Sequence, residues 1–168
     1  MDKKLKLVAI ASLVALVVSF GLLAVPQFIF TIKSDIDPIS GYLFFFNSAP
    51  DRFQKNHSIS GVSGLGIASI VLMTLALASY LFFKKSSAFV MLGGILNVVT
   101  SVLYFMMELS KNRVFGTDRS MVTVGWVAYV IGAFLVLTGL ASIYYAFRSM
   151  QVEKKEIQTK KNYSYLKK

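Results

Sequence analysis

Side chains able to do chemistry are few in this sequence, and they lie far apart. His57 is the only histidine and there is no cysteine, so neither a two-histidine nor a thiolate metal centre can form within one chain. Ser58, His57 and Asp51 are the residue types of a hydrolytic triad, but a triad needs the base to aim at the nucleophile, which chain neighbours do badly. Asp35 and Asp37 lead into a turn at Pro38 as two carboxylates without a third ligand, too few for a calcium site. The run Gly61-Val62-Ser63-Gly64-Leu65-Gly66 lacks the strand and the lysine of a phosphate-binding loop. No catalytic residue, metal or cofactor is expected, and the chain reads as non-enzymatic.

One constellation remains. Asn97, Thr100, Ser101, Tyr104 and Glu108, preceded by Gly93, recur every three or four residues and share one face of a helix. Leu96, Val99, Leu103, Phe105 and Met106 fall on the other side. Counted from Ser86, Asn97 lies about 16 Å along the helix and Glu108 about 33 Å. Asn97 thus falls near the middle of a bilayer and Glu108 at its outer boundary. A carboxamide at that depth needs a partner from another helix, so the face is expected to point into a bundle. Two chemistries fit. The face can hold helices together, with Glu108 paired to Lys111 one turn on. Alternatively it lines a proton or cation path with Glu108 at the outer mouth.

The elements that carry this face are apolar spans. Of 168 residues, 55% are hydrophobic and only 15% charged, too few charges for the surface of a soluble domain. Four stretches lack Asp, Glu, Lys and Arg altogether: Leu7–Ile32, Asn56–Phe83, Ser86–Met107 and Ser120–Phe147. Roughly 20 helical residues cross a hydrocarbon core about 30 Å thick, so each stretch can span. The predicted fold is all-α: four transmembrane helices in an antiparallel bundle, over about 7–31, 59–83, 86–108 and 121–147. Residues 1–150 form the transmembrane domain with an outer loop at 33–58, and 151–168 form a basic cytoplasmic tail. The first apolar run follows Lys3, Lys4 and Lys6 as a signal peptide would, but it is long and ends without an Ala-x-Ala site. It is read as a retained helix.

Charge sets the orientation. With both termini inside, Lys3, Lys4, Lys6, Lys84, Lys85 and the seven basic residues of Arg148–Lys168 are cytoplasmic. The outer loops hold only Lys33, Arg52, Lys55, Lys111, Arg113 and Arg119. That bias is the one expected of an N-in, C-in protein. A basic rim against an anionic inner leaflet accounts for the net charge of +10 without a nucleic-acid partner. The expected location is the plasma membrane, crossed several times.

Small residues predict where helices meet, because close packing and hydrogen bonds drive association in lipid. Gly125, Gly132, Gly139 and Ala146 recur every seven residues and stack along one side of the fourth helix, with Ala128 and Ser142 beside them. Such a heptad suits a close left-handed crossing. The first helix offers Ala9, Ser12, Ala15 and Ser19, and the second Gly61, Gly64, Ala68, Ala76 and Ser79. Trp126 and Tyr129 at one end of the fourth helix, Tyr144 and Tyr145 at the other, and Tyr80, Phe82 and Phe83 at the end of the second read as interfacial anchors. In the outer loop, the apolar run Ile39–Phe46 needs an interface, the bundle top or a partner to cover it.

The layout resembles that of the claudin-like four-helix proteins: a short basic N-terminus, a long first outer loop, a short inner turn, a shorter second outer loop and a basic tail. The resemblance covers topology alone. Gly41-Tyr42-Leu43-Phe44 stands where that family has Trp-Gly-Leu-Trp, the family's paired cysteines are missing, and no functional residue is carried over. The expected role is that of a small membrane protein acting by association with a protein partner or with copies of itself, as an accessory or regulatory subunit or a protective factor. The alternative is a small oligomeric transporter or channel with its path along helix three.

Overall fold

The computed structural model describes residues 3–32, 35–41, 64–115 and 122–165. Four helices in it are long and apolar enough to cross a membrane: α1 (Lys3–Leu22), α2 (Gly64–Leu81), α3 (Ser87–Phe115) and α4 (Trp126–Tyr165). α1 packs on α2 and on α4, α2 on α3, and α3 most extensively on α4. The helices therefore close a ring around a core of Leu5, Leu16, Met73, Tyr80, Val90, Ile131 and Leu135.

Three strands correct the all-α expectation. β1 (Pro26–Ile32) pairs antiparallel with β2 (Asp35–Ser40) and with β3 (Val122–Val124), in the order β2-β1-β3. The first helix, expected to reach residue 31, ends at Leu22. Pro26 lacks the amide that would continue it, and the sequence beyond, PQFIFTI, is rich in the β-branched and aromatic residues that favour strands. The backbone groups beyond Pro26 find partners on two sides: Ile29 lies opposite Pro38 and Thr123. The helix closes with three-residue turns, Val25 N–H donating to Leu22 O at 3.0 Å and Ala24 N–H to Gly21 O at 3.1 Å. Proline is tolerated at position 38 because β2 is an edge strand.

The remaining boundaries also shift. α3 runs two turns past residue 108, to Phe115. The fourth helix starts at Trp126 rather than 121, because Val122–Val124 pair with β1. It then passes residue 150 without a break and continues to Tyr165, so the basic segment begins as a helical extension of the last span. The structure describes the second helix from Gly64; residues 59–63, and 42–46 of the apolar run in the outer loop, lie outside the described residues. Ile39 and Ser40 of that run end β2.

Between α2 and α3 the chain turns over Phe82–Lys85. Ser86 Oγ accepts from Ala88 N–H at 3.2 Å, capping the start of α3. The Phe82 and Phe89 rings meet at 5.8 Å, and the Lys85 ammonium sits 4.9 Å over Phe82. Of the other expected anchors, Trp126, Tyr129 and Tyr144 are exposed.

Candidate functional site: a polar node at the centre of the bundle

Hydroxyl side chains in the helices divide into two sets. Ser19, Ser69, Thr74, Ser79, Thr100 and Thr138 each donate to the carbonyl one turn earlier in their own helix, at 2.7–2.9 Å. That is how an isolated hydroxyl is satisfied where no water competes. Ser12, Tyr80, Ser101 and Ser142 reach across to another helix. The second set defines the site.

Tyr80 is its hub. It stands in the last turn of α2, but a helical side chain leans toward the N-terminus of its helix, which carries the phenol into the bundle. The reading of Tyr80 as an interfacial anchor is therefore corrected: it is fully buried. Its ring lies flat over Gly93, where a Cβ would come within 2.9 Å of the ring carbon Cζ. Tyr80 OH donates to Ser142 Oγ at 2.9 Å, and Ser142 is 2.9 Å from Ser12 Oγ, which lies 3.5 Å from Thr138 O. From α3, Asn97 Nδ2 donates to Tyr80 OH at 3.4 Å and to Thr138 Oγ1 at 3.3 Å. All four helices contribute. Donors run outward from Asn97 and end on the Thr138 and Phe134 carbonyls of α4. Within this node, Asn97 Oδ1 is buried with no donor against it among the described residues.

The crossing of α3 and α4 makes this reach attainable. A Cβ on Gly94 would lie 2.8 Å from Gly139 O, and one on Gly139 would lie 2.8 Å from Gly94 O and 3.1 Å from Val98 N. The two backbones touch there, one turn from Asn97 on one side and from Ser142 on the other. Farther along the same interface, Ser101 Oγ donates to Gly132 O at 2.7 Å.

The structure places the five singled-out residues of α3 as follows. Asn97, Thr100, Ser101 and Tyr104 are all buried. Asn97 and Ser101 bond across helices, whereas Thr100 is satisfied within α3 by Leu96 O at 2.8 Å. The Glu108 side chain, and with it the expected pair with Lys111, lies outside the described residues. Opposite them, Val99, Phe105 and Met106 are exposed.

The glycine heptad resolves into different roles. Gly139 is the backbone contact, and Ala146 is fully buried. At Gly132 an added Cβ would come nearest the Phe105 ring, at 3.0 Å. Gly125 is not in the helix at all. It lies between β3 and α4, donating its N–H to Gln27 O at 2.6 Å. In α2 the buried residues are Gly66, Ser69, Met73, Ala76, Ser79 and Tyr80, while Gly64 is exposed with nothing within 4 Å of an added Cβ. Ala76 and Ser79 of the expected stripe are thus buried, whereas at the start of the helix Gly66 and Ser69 face inward in place of Gly64.

A second buried amide was not singled out from the sequence. Gln27 sits where the β1–β2 register shifts, between Pro26 and Phe28, and such an irregularity re-aims a side chain. Its Nε2 donates to Leu22 O at 3.0 Å, closing the end of α1. Gly41 lies over the carboxamide so closely that a Cβ would be 2.9 Å away. Gln27 thus ties together α1, the sheet and the start of α4. Its position just after a helix-ending proline was the only sequence signal.

Chemically, the node offers hydroxyls and one carboxamide. These groups keep their protons across physiological pH and supply directional hydrogen bonds. No family model matches the chain, and no curated protein matches it.

Proposed function

We propose that this is a small non-enzymatic protein of the plasma membrane that works by association, as an accessory or regulatory subunit or a protective factor. In this reading the helices form an antiparallel bundle with both termini cytoplasmic and the sheet on the outer side. The basic residues of the inner rim then face anionic headgroups. The observation that carries the proposal is the use of the interior polar groups. Tyr80, Ser12, Ser142, Thr138 and Asn97 bond to one another and to α4 carbonyls, so they hold helices rather than present reactive groups to a substrate. What the protein offers to others is its outside: apolar helix faces and a sheet at one end.

A transporter or channel, formed by several copies, is the second reading. It is favoured by Asn97 Oδ1 and Gln27 Oε1, two buried carbonyl oxygens with no donor against them, since such oxygens can receive a dehydrated cation or water.

Purification of the tagged full-length chain in mild detergent, followed by identification of whatever remains bound, tests the proposal. A different membrane protein held in stoichiometric amount is the expected result. A homogeneous oligomer of this chain alone moves weight to the second reading.

A further inference from the structure

α4 is 40 residues long, about 60 Å at 1.5 Å per residue, twice the thickness of a hydrocarbon core. Its apolar part ends at Phe147, so some 27 Å of helix to Tyr165 stands beyond the apolar span. Residues 151–159 are exposed all round, with no other described element against them. Over 148–158 the charges on this rod are not spread evenly. At about 100° per residue, Arg148, Gln151, Lys154, Lys155 and Gln158 fall within an arc of about 120°. Glu153 and Glu156 fall on the far side, in line with the buried Ala146 and Ser149. The basic arc continues the line of Leu137, Leu140, Tyr144 and Phe147, the exposed outward face of the same helix within the span. One stripe therefore runs along α4 from Leu137 to Gln158, apolar in the span and basic or amide beyond it; Lys160 and Lys161 fall outside it.

A membrane surface does not select one side of a helix that leaves it steeply, because the headgroup plane meets every side of the rod alike. Electrostatic attraction to that plane also fades within a Debye length of about 8–10 Å. A one-sided stripe is meaningful to something lying alongside. A second copy of this chain would set basic face against basic face in a two-fold pairing, which repels.

We propose that the outward face of α4 is the docking surface for a different membrane protein, whose own helix crosses beside Leu137–Phe147 and carries acidic side chains just beyond the span, against Arg148, Lys154 and Lys155. This rests on the association reading above and names the chemistry of the partner. Charge complementarity sets the register of the pair, while the apolar stripe supplies contact area.

The test is site-specific photo-crosslinking of the full-length protein in native membranes, with benzoylphenylalanine placed at Leu140 or Gln158 on the stripe, or at Glu153 or Ile157 on the far side. The expected outcome is one adduct shared by Leu140 and Gln158 and missing from Glu153 and Ile157. The captured protein has a membrane-spanning helix followed by acidic residues. In Lys154→Glu/Lys155→Glu protein the adduct falls at least tenfold, and changing the partner's acids to lysine restores it. Adducts to lipid from both sides, adducts between copies of this chain, capture without charge-swap rescue, or no adduct at all each overturn the proposal. A partner that co-purifies in stoichiometric amount yet crosslinks only from other faces overturns this surface while leaving the association reading intact.

Discussion

Replacing Gly139 with alanine adds one methyl group where two backbones already touch. The new carbon would stand 2.8 Å from Gly94 O, 2.8 Å from Val98 Cγ2 and 3.1 Å from Val98 N. Ordinary contact needs about 3.5 Å, so α3 and α4 must part locally by roughly 0.7 Å. Two of the three obstacles are backbone and cannot swing aside. A radial gap of that size forfeits about a quarter to a half of each dispersion contact along the crossing, and overpacking of this kind costs about 1–3 kcal/mol. The hydrogen bonds of the node are stretched at the same time, because Asn97 and Ser142 sit one turn from the crossing. Gly132→Ala provides an internal comparison: the three atoms nearest its added carbon all belong to the Phe105 ring, from 3.0 Å, and a part-exposed side chain yields more readily than backbone. Gly21→Ala meets nothing within 4 Å and should gain a few tenths of a kcal/mol from helix propensity. Thermal unfolding in one detergent is the assay, and the predicted order of melting temperature is Gly21→Ala, wild type, Gly132→Ala, then Gly139→Ala several degrees below. Gly139→Ala melting with wild type would refute the backbone contact and with it the geometry of the node.

Tyr80→Phe should cost on the order of 1 kcal/mol, since it removes the donor to Ser142 and an acceptor for Asn97; equal melting of the two proteins would show that the hub is misassigned. Combining Tyr80→Phe with Ser142→Ala should cost less than the sum of the single changes, because both break one bond, and strict additivity would contradict that contact. Topology reporters after Lys6, Lys85 and Lys168 should read cytoplasmic and those at Asn56 and Thr117 external; an external C-terminus would invert the arrangement. Glu108→Gln should leave both melting temperature and ion permeability of reconstituted vesicles unchanged, whereas loss of a wild-type flux would assign it to a path.

The spans were legible in the sequence because hydrocarbon demands long runs without charge, and such runs are rare by chance. The inward polar face of α3 was legible for a related reason: Asn97 at mid-depth has few alternatives to a partner helix. Its partners were not. Tyr80 shares its type and its place near a helix end with residues that anchor at interfaces, and only the lean of its side chain and the flat surface of Gly93 turn it inward. Gly139 stood out in the seven-residue repeat, but its partner Gly94 looks like one small residue among many, because a backbone contact is a property of the pair. The sheet was missed because Pro26–Ile32 continues the uncharged run of the helix before it. The absence of charge cannot separate the two, whereas Pro26 and the β-branched residues after it can.

Whether the polar interior is a lock or a path is decided by measuring melting temperature and proton or cation flux on the same proteoliposome preparations of wild type and Asn97→Leu. The account predicts no wild-type flux above empty vesicles and a lowered melting temperature for Asn97→Leu. A wild-type flux abolished by Asn97→Leu, with the melting temperature unchanged, would contradict it.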